Sequence, residues 1–203
     1  MFHKINQFED LIADFTGAPY VVTTDCCTHA IELSFISTGF RYAEFPAYTY
    51  LSVLMTMHKL NIEYKLLNKR WLGEYRFNKT NIWDSARKLT PKMYRKGMLQ
   101  CLSFGHSKPL DIGRGGAILL DDYELYKELE KLRYDGRDLA ISPWKNQKSF
   151  RLGYHYKLNP EECIRGIEAL TEYKNKNKFT IEHYDYPDCR KISIENENSL
   201  FWR

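Results

Sequence analysis

The sequence predicts an α/β fold, a mainly parallel sheet sandwiched by helices. Two observations predict it. Short β-prone runs alternate with helical stripes of three-and-four spacing, the order that builds βαβ units. A length of 203 residues with 43% hydrophobic and 15% aromatic residues suffices for one good-sized core but hardly for two full domains.

Taken in order, Ile5, Phe8, Leu11, Ile12 and Phe15 make one stripe, so a first helix runs over residues 5–15 and Gly17 ends it. Residues 20–24 form a short strand, Asp25 and two cysteines make a turn, and Thr28 caps a helix reaching Gly39. A second strand ends at Phe45 and Pro46, followed by the aromatic turn Tyr48, Thr49, Tyr50 and a helix over 51–60. Residues 62–67 read as strand, 68–80 as a polar connection with scattered aromatics, and 81–84 as strand again. Two further strands, 98–104 and 117–120, flank a glycine-bearing loop. The clearest amphipathic helix is 122–133, with Leu125, Leu129 and Leu132 on one face, and a second covers 160–173 behind Pro160. One domain over residues 1–173 is expected, while residues 174–203 are mixed, charged and without an assignable architecture.

Thirty basic and 26 acidic residues give a formal charge of +4 and are interspersed, so no polybasic tract points to nucleic acid or lipid headgroups. The clusters at 65–70 and 174–178 read as solvated faces, and an anionic small ligand remains compatible. Residues 1–10 hold no apolar signal core and no run approaches a membrane span, so a cytoplasmic protein is expected. Five cysteines without a CxxC pair and six histidines without HxxxH-type spacing support neither a disulfide framework nor zinc; free thiols are expected.

In such a sheet, ligands bind at the carboxyl ends of strands. Three constellations fall there: DCCTHAIEL at 25–33, WDSAR at 83–87, and SFGHSK at 103–108 followed by DIGRGGAILLDD at 111–122. The first offers a helix start with backbone N–H groups and the Thr28 hydroxyl, either an anion site or an ordinary cap. Asp84 ends a strand and suits a cap, a metal ligand or a partner for a cofactor nitrogen. Lys108 sits in a loop of small residues, where lysines are most often solvated and occasionally a reactive amine.

The order of these elements resembles the DegT/DnrJ/EryC1/StrS family of sugar aminotransferases from about Phe8 to Tyr173. The likeness is carried by FEDLIADFTGAPYVVTTDCCTHAIEL, FPAYTYLSVL, WDSARKL, CLSFGHSKPLDIGRGGAILLDD, KLRYDGRD and RLGYHYKLNPEECIRGIEAL, in the family's order. It implies the large domain of the type I fold of pyridoxal-phosphate-dependent transferases, shortened between 60 and 84. The C-terminal small domain is reduced or absent, with 174–203 as its vestige.

By position, the resemblance implies that Lys108 joins to pyridoxal phosphate and moves the proton, and that Asp84 keeps the pyridine nitrogen protonated. Ser103 and Thr28 occupy phosphate-binding positions, Tyr50 the position that stacks on the ring, and Cys27 replaces a usual glycine. Arg87 replaces a glutamine near the phenolic oxygen, where it either stabilises the phenolate or pairs with Asp84. His155 stands where an asparagine reaches the phosphate of a second subunit, or is a packed surface histidine, and Lys157 stands at an arginine. The implied protein is a homodimer with shared active sites. It would move an amino group from glutamate or glutamine to a keto-sugar nucleotide. Competing readings are a binding homologue without catalysis, or a sugar dehydratase or epimerase using the same cofactor.

Overall fold

The computed structural model describes residues 2–176, 179, 181 and 185–194. The predicted first helix is α1 (Phe2–Thr16), ended by Gly17 in the left-handed region at φ 76°. Strand β1 (Tyr20–Thr24) leads into α2 (Cys27–Thr38), then β2 (Tyr42–Pro46), α3 (Leu51–Lys59) and β3 (Glu63–Leu67). Next come β4 (Tyr75–Arg76), β5 (Ile82–Asp84), β6 (Leu99–Ser103), β7 (Gly116–Leu120), α4 (Tyr123–Leu132) and α5 (Pro160–Lys174). The strand β4 lies inside the stretch expected to be only a connection. Asn159 and Glu162 close a capping box on α5, with Pro160 in its first turn, as its sequence demands.

The α/β class holds, but the strand directions are more mixed than the sequence predicts. The main sheet has the order β1-β7-β6-β5-β4, and only its β5–β6 pair is parallel. A parallel crossover needs a long connection, usually a helix. The β4–β5 link is a tight turn with Lys79 at φ 69° and returns antiparallel, as does the β6–β7 loop, whereas the β5–β6 link, also without a helix, brings its strands parallel. The pair β2–β3, joined through α3, is parallel, and a bridge between Glu44 and Asn78 ties it to the strands beside it.

Helices do sandwich the main sheet. Alternate residues of β1 and β7 face opposite sides: Val21, Ala117 and Leu119 pack with Ile5, Phe8 and Ile12 of α1 and Cys163 and Leu170 of α5. Val22, Ile118 and Leu120 pack with Ala30 and Leu33 of α2 and Leu129 and Leu132 of α4. Gly166 allows α5 to lie close to α1, because a Cβ there would stand 2.4 Å from the Phe8 ring. A buried ion pair fixes α1 to the end of α4. Glu9 is bonded to Arg133 and also accepts from Thr23 N at 2.7 Å and Thr23 Oγ1 at 2.8 Å. Removing one partner of such a pair strands a charge, so this contact specifies the helix positions more than it adds stability.

Residues 185–194 lie beyond the last helix and return to the body. Asp188 bridges to Tyr48, the Cys189 amide donates to Ala47 O at 2.9 Å, and Cys189 is 2% exposed. The rest of the expected C-terminal segment falls largely outside the described residues.

Candidate active site

The strand ends converge on a cleft of about 430 Å³. Seven of the predicted site residues line it together: Cys27, Thr28, Tyr50, Asp84, Arg87, Ser103 and Lys108. His155 does not. It bridges to Tyr134, its Nδ1 lies 3.0 Å from Asp135, and its side chain is 70% exposed, away from the cleft of its own chain.

Asp84 ends β5 on the cleft floor and is 4% exposed. Its Oδ2 accepts from the Tyr75 hydroxyl at 2.9 Å and its Oδ1 from the Ala86 amide at 3.0 Å. With the Tyr75 proton given to Asp84, the Thr49 hydroxyl donates to Tyr75 at 2.7 Å. Burial pushes the Asp84 carboxyl above the ordinary range, although Ala86, Tyr75 and the charge of Lys108 oppose that. A carboxylate so placed is costly alone and favourable beside a cation.

Lys108 sits in the β6–β7 loop, with its amide donating to Gly105 O at 3.3 Å. Asp111 braces the same turn, accepting from Gly113 N at 2.8 Å and Ser107 N at 3.3 Å. Burial lowers the Lys108 ammonium pKa, and the neighbouring Arg87 charge lowers it further, while Cys27, Asp84 and Tyr50 act the other way. The outcome is a lysine more readily deprotonated than a solvated one.

Arg87 resolves one of the alternatives left by the sequence. Its guanidinium binds the Ser107 carbonyl, with Nη2 also 3.4 Å from the Ser107 hydroxyl, and its charge acts on the Tyr186 phenol. Both oxygens of Asp84 are met by Tyr75 and Ala86 instead. Arg87 therefore grips the residue before Lys108, where Ser107 holds a left-handed φ of 59°.

At the opposite wall two helix starts approach each other, since Thr28 Oγ1 of α2 lies 2.7 Å from Ser52 Oγ of α3. Their free N–H groups and partial positive charge suit an anion. The cap of α2 differs from the expected Thr28: Cys26 is the N-cap, its sulfur accepting from His29 N at 3.4 Å. Thr28 lies within the helix, which leaves its hydroxyl facing Ser52. Gly116 lets this turn sit on β7, because a Cβ there would come within 2.6 Å of Cys26 C and Cys27 N. Burial, with Asp84 and Cys101 nearby, pushes the Cys27 thiol well above its usual range, so it stays protonated. At the rim, burial alone would lower the His29 pKa, but its bonds to Asp25 and Cys26 hold the imidazole at about 9.

Sequence reasoning missed Tyr75, Thr49, Ser52, Trp71 and Tyr186. Only the run of aromatics between 68 and 80 hinted at a wall there. Trp71 stacks on Tyr186 at 5.7 Å and meets Tyr75 edge-on at 4.9 Å, while Tyr50, 61% exposed, stands at the mouth.

The fold superposes on solved structures of aminotransferases. The ntda protein of Bacillus subtilis, solved with bound cofactor PMP, superposes with TM-score 0.71 at 16% identity, over 84% of this chain and 48% of that one. A GDP-4-keto-6-deoxymannose-3-dehydratase (ColD) superposes with TM-score 0.68 at 13% identity, over 85% and 61%. The sequence model of the DegT/DnrJ/EryC1/StrS aminotransferase family matches residues 92–186. A UDP-4-amino-4,6-dideoxy-N-acetyl-beta-L-altrosamine transaminase of Campylobacter jejuni subsp. jejuni serotype O:2 is 24% identical over 214 residues, 82% of this chain and 56% of that protein. Residues 92–186 are thus similar to the DegT/DnrJ/EryC1/StrS aminotransferase family, and the chain spans about half the length of the proteins it matches.

Proposed function

We propose that this chain carries the cofactor site of a pyridoxal-phosphate-dependent aminotransferase that transfers an amino group from glutamate or glutamine to a keto-sugar nucleotide. The observation that carries the reading is a buried acid and a deprotonation-prone amine in one cleft, each perturbing the other's pKa. The residues fit the cofactor's chemistry: an amine for its aldehyde, an acid for its ring nitrogen, and two helix starts for its phosphate. Pyridoxal phosphate, when bound, supplies a ring that withdraws electrons from the carbon bearing the amino group.

Lys108 would hold the cofactor and then, released as an amine, take and return the proton at the reacting carbon. Asp84, braced by Tyr75 and Ala86, would keep the ring nitrogen protonated. Thr28, Ser52 and Ser103 would bind the phosphate, Tyr50 would cover the ring, and Cys27 would fill the wall as a neutral thiol. Arg87 would set the Lys108 loop. In this reading residues 1–173 form the cofactor domain, and two copies associate so that His155 serves the partner's site. Support for association comes from the exposed Tyr50, Leu51 and Met55 beside the cleft mouth and from the position of His155 outside its own cleft. Sedimentation showing a strict monomer at working concentration would remove the shared-site part.

The test is borohydride trapping with peptide mapping, in wild type and Lys108→Ala. The expected result is a yellow protein trapped at the Lys108 peptide and an unlabelled variant, with glutamate converting the colour to that of the pyridoxamine form. Trapping elsewhere, or none, overturns the reading. Colour without a response to glutamate favours a binding homologue. Because one structural relative is a dehydratase, analysis of products from keto-sugar nucleotides decides between amino transfer and dehydration.

A further inference from the structure

Residues 185–190 bring one side chain into the cleft that no motif marks. Arg70 meets Asp185 at 2.6 Å, Asp188 bridges to Tyr48, and Cys189 Sγ lies 3.4 Å from Thr49 O, so the segment is tied on both sides of Tyr186. Tyr186 itself is 6% exposed. Its ring lies nearly parallel to Trp71, 15° apart, and meets Tyr50 edge-on at 6.3 Å. The Lys108 ammonium donates to its hydroxyl at 3.4 Å, and the Arg87 charge acts on the same hydroxyl.

We propose that Tyr186 is a positioning residue for Lys108: its hydroxyl receives the amine while the Trp71 stack and the ties on either side of it fix the ring plane. A lysine has four rotatable bonds and loses rotamer entropy when held, so a working amine needs a partner that makes one arrangement favourable. The Tyr186 oxygen can accept from both cations, and its own proton is left to donate once Lys108 has lost its charge. The charged state gains more, because a hydrogen bond from an ammonium is stronger than one between neutral groups. Burial raises the Tyr186 pKa, which keeps that proton in place near neutrality.

The inference rests on the reading of Lys108 as the working amine, and its test separates the two. The full chain without cofactor is labelled with acetic anhydride over a pH series, and the Lys108 peptide is quantified in wild type and Tyr186→Phe. Losing an acceptor of the ammonium favours the neutral amine. Lys108 in Tyr186→Phe is expected to be acetylated about three-fold faster near neutral pH, with its half-labelling pH shifted down by about half a unit. Lys88, paired with Glu74 and with its side chain 18% exposed, should not change, whereas a general loosening of structure would raise its labelling as well. Should the Phe variant not fold, Tyr186→Leu keeps an apolar filler against Trp71 and is expected to shift in the same direction. An unchanged Lys108 profile in the folded variant overturns the role of Tyr186, even if wild type is trapped with pyridoxal phosphate at Lys108. A shifted profile in a protein that cannot be trapped supports the positioning and overturns the cofactor reading.

Discussion

The Tyr75 hydroxyl donates to Asp84 Oδ2 at 2.9 Å while accepting from Thr49 at 2.7 Å, so a strand in an apparent connection anchors the acid on the cleft floor. Both partners are buried, and water cannot replace the bond.

Tyr75→Phe removes the donor and leaves Asp84 and Thr49 each short of a partner. The expected loss is about 1–3 kcal/mol of stability, read by urea unfolding, together with weaker pyridoxal phosphate binding by absorbance titration. A variant as stable as wild type would show that this bond does not hold the acid.

Asp84 itself gives a pH signature. Its folded pKa is raised, so its contribution is fully present below its ordinary pKa of 3.8 and is lost as pH rises through the higher folded value. Asp84→Asn cannot ionise. Without cofactor, the variant should gain stability relative to wild type as pH rises from about 4, with the gap levelling once wild-type Asp84 is charged. Thermal melts across pH measure this, and a gap independent of pH contradicts it. With cofactor present the order should reverse, because the ring nitrogen loses its partner.

Glu9→Gln leaves Arg133, with a side chain 2% exposed, without its carboxylate. Breaking one side of a buried pair costs about 3–5 kcal/mol, and denaturant unfolding should show a loss of that size. A loss below about 1 kcal/mol would mean that the pair behaves as a solvated one.

Gly116→Ala places a methyl group 2.6 Å from the backbone at Cys26 and Cys27. Backbone on both sides cannot yield as a side chain would, so a destabilisation of about 1–3 kcal/mol is expected. Displacement of the α2 start should also weaken pyridoxal phosphate binding. Normal binding with normal stability would show that β7 and α2 can separate without consequence.

Most elements were legible because their signals are local. The stripe of Ile5, Phe8, Ile12 and Phe15 and the helix start at Pro160 each follow from a period or a cap. Seven cleft residues were legible too, through the motifs of a resembled family. Strand direction was less so. It depends on how the chain between two strands crosses the sheet, and the β5–β6 and β6–β7 links, one ending parallel and the other antiparallel, both look in sequence like ordinary glycine-bearing connections.

Sequence by itself determined the α/β class and the approximate helix boundaries, since periodicity and turn chemistry act over a few residues, while the expectation that Asp84 and Lys108 share a site came through the resemblance. Tertiary structure alone decided that Tyr75 braces Asp84, that Arg87 turns to Ser107 rather than to the acid, and that Tyr186 reaches Lys108 from 78 positions away. Those contacts join residues from separate elements, and the energy that selects them comes from burial, which exists only once the layers have closed.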